Sequence, residues 1–282
     1  MIEKVSFSYI VKEYKAVFLD SYGVLKNHKG LISGVNEAIS YIRDQGITLR
    51  VLTNDASRSQ TQQVAEFKKL GLNSLVEDEI ITSGMLARQF LELKIKSGKI
   101  AYLGTEASAD YILHAGLERI PVSEVDLNDV DDINAFVFLD DEGFDWNSDI
   151  NKTVNLLRKR NIQVVVANSD KYYPISSNDV AVAIGGISRM VESVLNQRFL
   201  RFGKPDTQMF MYAFDNINQY GNYTKSDILM VGDTLNTDIL GGNKFGLKTL
   251  LVLSGNTHPE SVYMKVKSTG IIPDYLAESI LT

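Results

Sequence analysis

Apolar residues recur along this chain in two rhythms. Residues 16–19 form an unbroken apolar run that ends on Asp20 and turns at Gly23. Residues 47–52, apolar apart from Thr48 and Arg50, form a second run that ends on Thr53-Asn54, residues 228–231 a third that leads through Gly232 to Asp233, and residues 248–253, apolar after Lys248-Thr249, a fourth. Short continuous runs bounded by polar residues are the pattern of strands buried on both faces of a parallel sheet. Between them the spacing changes. Val35, Ala38, Ile39 and Ile42 repeat at i, i+3, i+4 and i+7, and Gly46 stands where such a helix should stop. A polar stretch, Thr53-Asn54-Asp55-Ala-Ser57-Arg58-Ser59, leads into a second helix over 60–70, then a short strand over 79–82 and a helix to 93. Residues 94–98 break the pattern.

A fresh alternation begins at residue 100: helix 107–115, strand 135–139, helix 150–159 and strand 163–167. From 202 the first rhythm resumes, with Asp206 or Thr207 capping a helix to 214, a helix after Thr234 that Gly246 ends, and a closing helix over 276–281. This order predicts an α/β protein. A doubly wound, Rossmann-like parallel-sheet core is expected over 1–96 and 199–282, with an α/β cap module inserted at 97–198. The handedness of strand–helix–strand crossovers puts Asp20 and Thr53 at the same edge of the core sheet, where ligands of such sheets gather.

Composition narrows the chemistry. The 282 residues include 29 basic and 35 acidic side chains, a formal net charge of −6, which argues against nucleic acid as a partner. Cysteine is absent and histidine occurs three times. Disulfides, thiolate metal sites and cysteine nucleophiles are therefore excluded, and carboxylates must carry most polar chemistry. The first residues have no basic segment leading into an apolar one, and no apolar stretch reaches the ~18 residues of a membrane span. A soluble, cytoplasmic protein without a membrane partner is the expectation.

Two apolar strands thus end in carboxylates, Asp20 and Asp233, one ends in Thr53-Asn54, and Lys204 stands between Gly203 and Pro205. Taken by itself, Asp20 reads as a carboxylate capping its own turn; its agreement with Asp233, Lys204 and Thr53 makes a functional site the better reading. Neighbouring carboxylates repel unless a cation lies between them, and Mg2+, which takes one or two carboxylates together with water and phosphate, suits the set. A phosphate would then be held by the metal, by Lys204, by the Thr53 hydroxyl and by the backbone N–H groups after Asp20, at Ser21 and Tyr22.

Four segments, Val17-Phe-Leu-Asp20-Ser-Tyr-Gly23-Val24-Leu25, Leu52-Thr53-Asn54, Gly203-Lys204-Pro205 and Val231-Gly232-Asp233-Thr-Leu-Asn-Thr-Asp238, resemble in order the motifs of haloacid dehalogenase-like phosphatases. The inserted module and the segments 249–260 and 273–276 resemble the class IIA, C2-capped branch, which includes sugar-phosphate, nucleotide and pyridoxal-phosphate phosphatases. The resemblance implies that Asp20 is the nucleophile and a magnesium ligand, with the Tyr22 carbonyl and Asp233 as further ligands. Asp238 orients the metal waters and Lys204, Thr53 binds the transferring phosphoryl oxygens, Asn54 steadies the nucleophile, and Lys204 neutralises charge. It further implies a cap loop containing Asn168-Ser169-Asp170 that contacts substrate, and a homodimer formed through the cap.

One departure stands out. Family phosphatases carry at the Tyr22 position an aspartate that protonates the leaving oxygen and then activates water. Tyrosine, with a reference pKa of ~10, is a poor base at neutral pH, and losing a positioned acid–base typically costs ~100- to 10,000-fold. Asp55 and His28 are the candidates to replace it, although Asp55 reads first as a helix N-cap and His28 as a loop residue. The function implied is Mg2+-dependent hydrolysis of a small phosphorylated metabolite, such as a sugar phosphate, through an aspartyl-phosphate on Asp20. The alternatives are a phosphate-ester-binding protein with impaired turnover and a phosphotransferase to an acceptor other than water. Elsewhere, residues 140–145 read as a solvated acidic loop, Trp146 as packed between cap and core, Tyr172-Tyr173-Pro174 as a turn, and His114 and His258 as structural.

Overall fold

The unbroken apolar runs become the middle of a sheet. The computed structural model describes residues 2–176 and 179–281. In chain order the elements are β1 (Glu3–Lys4), α1 (Phe7–Ile10), β2 (Ala16–Asp20), the hairpin β3 (Lys26–Asn27) and β4 (Gly30–Leu31), α2 (Val35–Asp44), β5 (Thr48–Thr53), α3 (Gln60–Lys69), β6 (Ile80–Thr82) and α4 (Ser83–Lys94). They continue with β7 (Lys99–Leu103), α5 (Asp110–His114), β8 (Glu118–Pro121), β9 (Ile133–Phe138), α6 (Ser148–Lys159), β10 (Gln163–Val166), β11 (Tyr172–Pro174), β12 (Val180–Val182), α7 (Ile184–Leu195) and β13 (Leu200–Arg201). The last are α8 (Thr207–Asn218), β14 (Ile228–Gly232), α9 (Leu240–Phe245), β15 (Lys248–Val252), α10 (Val262–Thr269) and β16 (Tyr275–Ala277).

The chain divides into two compact units. The first comprises the residues through Thr53, Gln60–Ile81 and everything from Lys204 onward; the second comprises Asn54–Ser59 and Thr82–Gly203. The first is built on a seven-stranded sheet of order β1-β16-β15-β14-β2-β5-β6, with parallel pairing from β1 through β5. Ala16 to Leu19 and Ile228 to Val231 are fully buried, as strands covered on both faces must be. Helix α2 lays Val35, Ala38, Ile39 and Ile42 on one side of this sheet, the face its spacing predicts. The second unit has its own parallel sheet, β13-β10-β9-β7-β8, around a core that includes Phe136, Phe138, Val166, Ile184 and Val191. The doubly wound α/β architecture is therefore as expected. Among the described residues no helix is long and apolar enough to cross a membrane.

Three elements differ from the sequence expectation. Residues 276–281 do not form a helix: Tyr275–Ala277 is strand β16, paired with β15 on one side and β1 on the other. Apolar spacing there suits a helix, but the open edge of β15 offers backbone partners that the local sequence cannot reveal. Tyr172-Tyr173-Pro174 is not a turn but strand β11, antiparallel to β12; an edge strand tolerates Pro174, which lacks an N–H. Helix 107–115 shrinks to α5, Asp110–His114. The long α7 gave no prediction because Gly185 and Gly186 stand in its first turn.

Candidate active site

Strands β14, β2 and β5 lie side by side, with Leu19 opposite Val231 and Asp20 opposite Leu52. From β2 the sheet extends through β5 and β6 on one side and through β14, β15, β16 and β1 on the other. The change of direction falls between β2 and β14, so Asp20 and Asp233 leave the sheet at its topological switch point. Asp238 follows one π-helical turn later, in Leu235–Ile239; its Oδ2 accepts the Thr234 N–H at 3.0 Å. Ligand atoms of Asp20, Asp233 and Asp238 lie within 4.8 Å of one another.

Lys204 reaches this cluster from the far end of the inserted segment. Its Nζ donates to Asp20 Oδ1 at 2.5 Å, to the Leu52 carbonyl at 2.8 Å, and pairs with Asp238 Oδ1 at 2.8 Å. The first two are hydrogen bonds and the third is an ion pair; among the described residues Asp238 Oδ1 is buried without a hydrogen-bond partner. The side chain is 2% exposed, and those of Asp238 and Asp20 are 0% and 13% exposed, so water screens the cluster weakly. Burial holds Asp20 well above the usual carboxylate range, while Lys204 pulls it down. Burial, with the Asp238 charge next, pushes Asp233 up to about 7, against the Asn256 N–H and the Thr234 hydroxyl. Burial works against the Lys204 ammonium too, but the adjoining carboxylates outweigh it and its pKa lies above the ordinary lysine value. Three carboxyl groups crowd the Lys204 ammonium, and the upward push on Asp20 and Asp233 comes from burial and from the charge of neighbouring carboxylates, which a cation would relieve. A hard divalent cation with oxygen ligands fits that donor set.

The remaining expected residues surround the cluster unevenly. Ser21 is buried, and its N–H donates to Asp20 Oδ1 at 2.7 Å. Thr53 is buried at the end of β5, next to the Asp20 strand. Tyr22 is half-buried, and Gly23 donates its N–H to the Lys26 carbonyl at 2.7 Å, closing the turn after Asp20. Burial raises the Tyr22 hydroxyl pKa; the His28 N–H on that oxygen lowers it and the Asp233 charge raises it. The net direction is upward, away from use as a base. Asn54 belongs to the second unit, where its amide donates to Asp170 and Ser169. Asp55 does not cap α3: its Oδ1 accepts Ser57 N–H and Oγ in a turn that ends before Gln60.

Gly255 and Asn256 also touch Asp233, a part in the site that the resemblance of their segment did not assign to them. The Asn256 N–H donates to Asp233 Oδ2 at 2.5 Å and its side chain to Thr234 Oγ1 at 3.0 Å. A Cβ at Gly255 would stand 1.9 Å from Asp233 Oδ2 and 2.6 Å from the Gly23 Cα, so no larger residue fits. The available signal was a Ser-Gly-Asn turn after a buried strand, at the same sheet edge as Asp233. In the second unit, Asp140 and Asp141 are not a solvated loop. Thr105 Oγ1 donates to Asp140 and Tyr173 to Asp141, and burial pushes Asp140 up to about 6. Trp146 is 49% exposed and stacks on Phe144 rather than packing inside. His28, His114 and His258 are exposed.

Comparison with known proteins gives a consistent family. Residues 17–118 match the family model described as haloacid dehalogenase-like hydrolase, and residues 201–281 match a second, HAD-hydrolase-like model. A crystal structure described as a possible sugar phosphatase of the HAD superfamily, from Cytophaga hutchinsonii, is 50% identical; the match covers 100% of this chain and 99% of that one with a TM-score of 0.96. Chronophin from Bos taurus is 25% identical over 96% of this chain and 92% of its own length. The glycerol phosphate phosphatase of Mycobacterium tuberculosis, solved in complex with magnesium, shares the fold at 23% identity and a TM-score of 0.75, covering 99% of this chain and 78% of that one.

Proposed function

The chain belongs to the haloacid dehalogenase-like hydrolase family, in its phosphatase branch, and on that premise we propose that it hydrolyses the phosphate monoester of a small metabolite, such as a sugar phosphate, with Asp20 as nucleophile. The observation that carries this reading is the buried cluster of Asp20, Lys204, Asp233 and Asp238 at the switch point of the sheet.

In this reading Lys204 and the Ser21 N–H hold Asp20 Oδ1 and fix the rotation of the carboxylate. A carboxylate oxygen attacks phosphorus, the ester P–O bond breaks, and the leaving oxygen takes up a proton and departs as the alcohol. Water then attacks phosphorus, gives up a proton, and releases inorganic phosphate with the Asp20 carboxylate restored. Mg2+ would be held by Asp20, Asp233 and the Tyr22 carbonyl, with Asp238 behind, and supplies positive charge against the phosphoryl oxygens. Thr53 and Asn54 bind and orient those oxygens, and Lys204 neutralises charge that grows in the transition state. A homodimer through the inserted unit belongs to the same reading, supported by the exposed Tyr172, Val180 and Val182 of the β11–β12 hairpin.

Steady-state assays with Mg2+ on p-nitrophenyl phosphate and on a sugar phosphate test the proposal. Asp20→Asn abolishes turnover of both. Tyr22→Asp raises turnover of the sugar phosphate more than that of p-nitrophenyl phosphate, whose leaving group departs without a proton. Absent wild-type turnover with tight ester binding by calorimetry would instead establish a binding protein.

A further inference from the structure

Asn54 is held by a loop 116 residues away in sequence. Its Nδ2 donates to Asp170 Oδ1 at 2.8 Å and to Ser169 Oγ at 3.2 Å, and its carbonyl accepts from Ser83 Oγ at 2.7 Å. Its Oδ1 lies against Gly203, where an added Cβ would come within 2.5 Å of it and where φ is +100°. The loop that does the holding is itself braced. The Asp170 N–H donates to Asn168 Oδ1 at 2.8 Å, closing an Asx turn, and the Lys171 carbonyl accepts from Ala183, the residue before α7, at 3.0 Å.

A carboxylate is the informative partner here. An amide can present oxygen or nitrogen, whereas an ionised carboxylate accepts and does not donate. Asp170 therefore fixes which way the Asn54 amide faces: nitrogen toward the loop, oxygen toward Gly203, the residue before Lys204. A carboxylate aimed at a bound phosphate would repel it; one bonded to an amide N–H is turned to positioning.

We propose that Asp170 is a positioning residue for the phosphoryl-binding loop rather than a substrate contact: it orients Asn54 and, through the peptide that joins them, the turn that presents Thr53. This rests on reading Thr53 and Asn54 as binders of the phosphoryl group.

The test combines a double-mutant cycle with a conservative rescue. Asp170→Ala lowers kcat/KM for p-nitrophenyl phosphate and for glycerol phosphate by the same factor, about 10- to 100-fold, the range for losing a hydrogen bond to a charged group. Asp170→Asn, which keeps an acceptor oxygen, stays within about 5-fold of wild type. Asn54→Ala and the double variant Asn54→Ala/Asp170→Ala agree within about 2-fold, because Asp170 acts through Asn54. A loss confined to one ester identifies a substrate contact and overturns the proposal, as does a double variant whose loss is the product of the two singles.

Calorimetric binding of inorganic phosphate reads the same cycle without turnover. Asp170→Ala weakens phosphate binding about 10-fold and adds nothing to Asn54→Ala; unchanged phosphate affinity refutes the positioning role even in an active enzyme. A wild type that binds phosphate but hydrolyses neither ester refutes the hydrolase reading and leaves this test intact. Thermal melts of both Asp170 variants separate misfolding from mispositioning.

Discussion

Replacing Lys204 by methionine removes the positive charge among three carboxylates while keeping much of the side chain's volume. Breaking a buried ion pair from one side typically costs ~3–5 kcal/mol, because the partner stays buried and unpaired. Here Lys204 at 2% exposure faces Asp20 at 13% and Asp238 at 0%, so that range applies without a discount for exposure. The carboxylates have one escape, which is to take up protons. Lys204 is the strongest influence pulling the Asp20 pKa down against burial, so its loss sends that pKa higher still. A folded-state carboxyl pKa above the unfolded one means that the folded protein binds more protons, and stability then falls as pH rises. The slope for one such group is ~1.4 kcal/mol per pH unit, between the ordinary carboxylate value and the raised one. In metal-free buffer with EDTA, Lys204→Met is therefore expected to lose ~3–5 kcal/mol at about pH 7.5 and roughly half of that at about pH 5.5. Urea denaturation followed by circular dichroism measures both. Adding Mg2+ at the higher pH should stabilise the variant more than the wild type, since the ion then meets the same three carboxyl groups without the competing ammonium. Equal stability of variant and wild type at the higher pH, or a loss that does not change with pH, would refute the charge argument.

Two other perturbations probe separate parts of the structure. Gly255→Ala puts a methyl group 1.9 Å from Asp233 Oδ2 and 2.6 Å from the Gly23 backbone; it is expected to weaken Mg2+ binding ~10- to 100-fold, the usual effect of disturbing groups that orient a ligand, and Mg2+ titration of the thermal melt would read this directly. Asp140→Asn removes a carboxyl that burial pushes up to about 6. Because that folded pKa lies above the unfolded value, ionised Asp140 lowers stability at neutral pH, and the neutral amide is expected to gain ~1–2 kcal/mol near pH ~7.5 after allowance for partial exposure, with no gain below pH ~4; equal denaturation midpoints at the two pH values would count against it.

The parts of this fold that could be read in the sequence are those where burial on both faces leaves no room for polar residues. Strands β2 and β14 are such strands, and the carboxylate that ends each apolar run is conspicuous because nothing polar precedes it; β5 departs from the rule by burying Arg50, whose guanidinium donates to Asn216 Oδ1 and the Leu49 carbonyl. Asp206 is likewise legible as an N-cap, since the bond from Gln208 N–H to its side chain is local. Strand β16 was missed for the opposite reason. Its partners β15 and β1 are distant in sequence, and Leu276, Ala277, Ile280 and Leu281 have a spacing that serves a helix equally well. The Asp233 cradle was missed in the same way: Asn256 is 23 residues from the carboxylate it holds.

The site also shows why a motif contiguous in sequence need not act as one body. Thr53 ends a strand of the first unit, while its neighbour Asn54 packs with the second; Gly203 and Lys204 are divided in the same way. In each pair, one residue is fixed by the sheet that carries Asp20 and the other by the inserted segment. Lys204 is anchored by the Leu52 carbonyl and two core carboxylates, whereas Asn54 is anchored by Ser83 and Asp170. A single peptide bond therefore joins groups whose positions are set by different packing, and the placement of Asn54 depends on residues that no sequence window around it contains. That dependence is why Ser83 and Asp170, the partners that hold Asn54, could not be read from the motif that contains it.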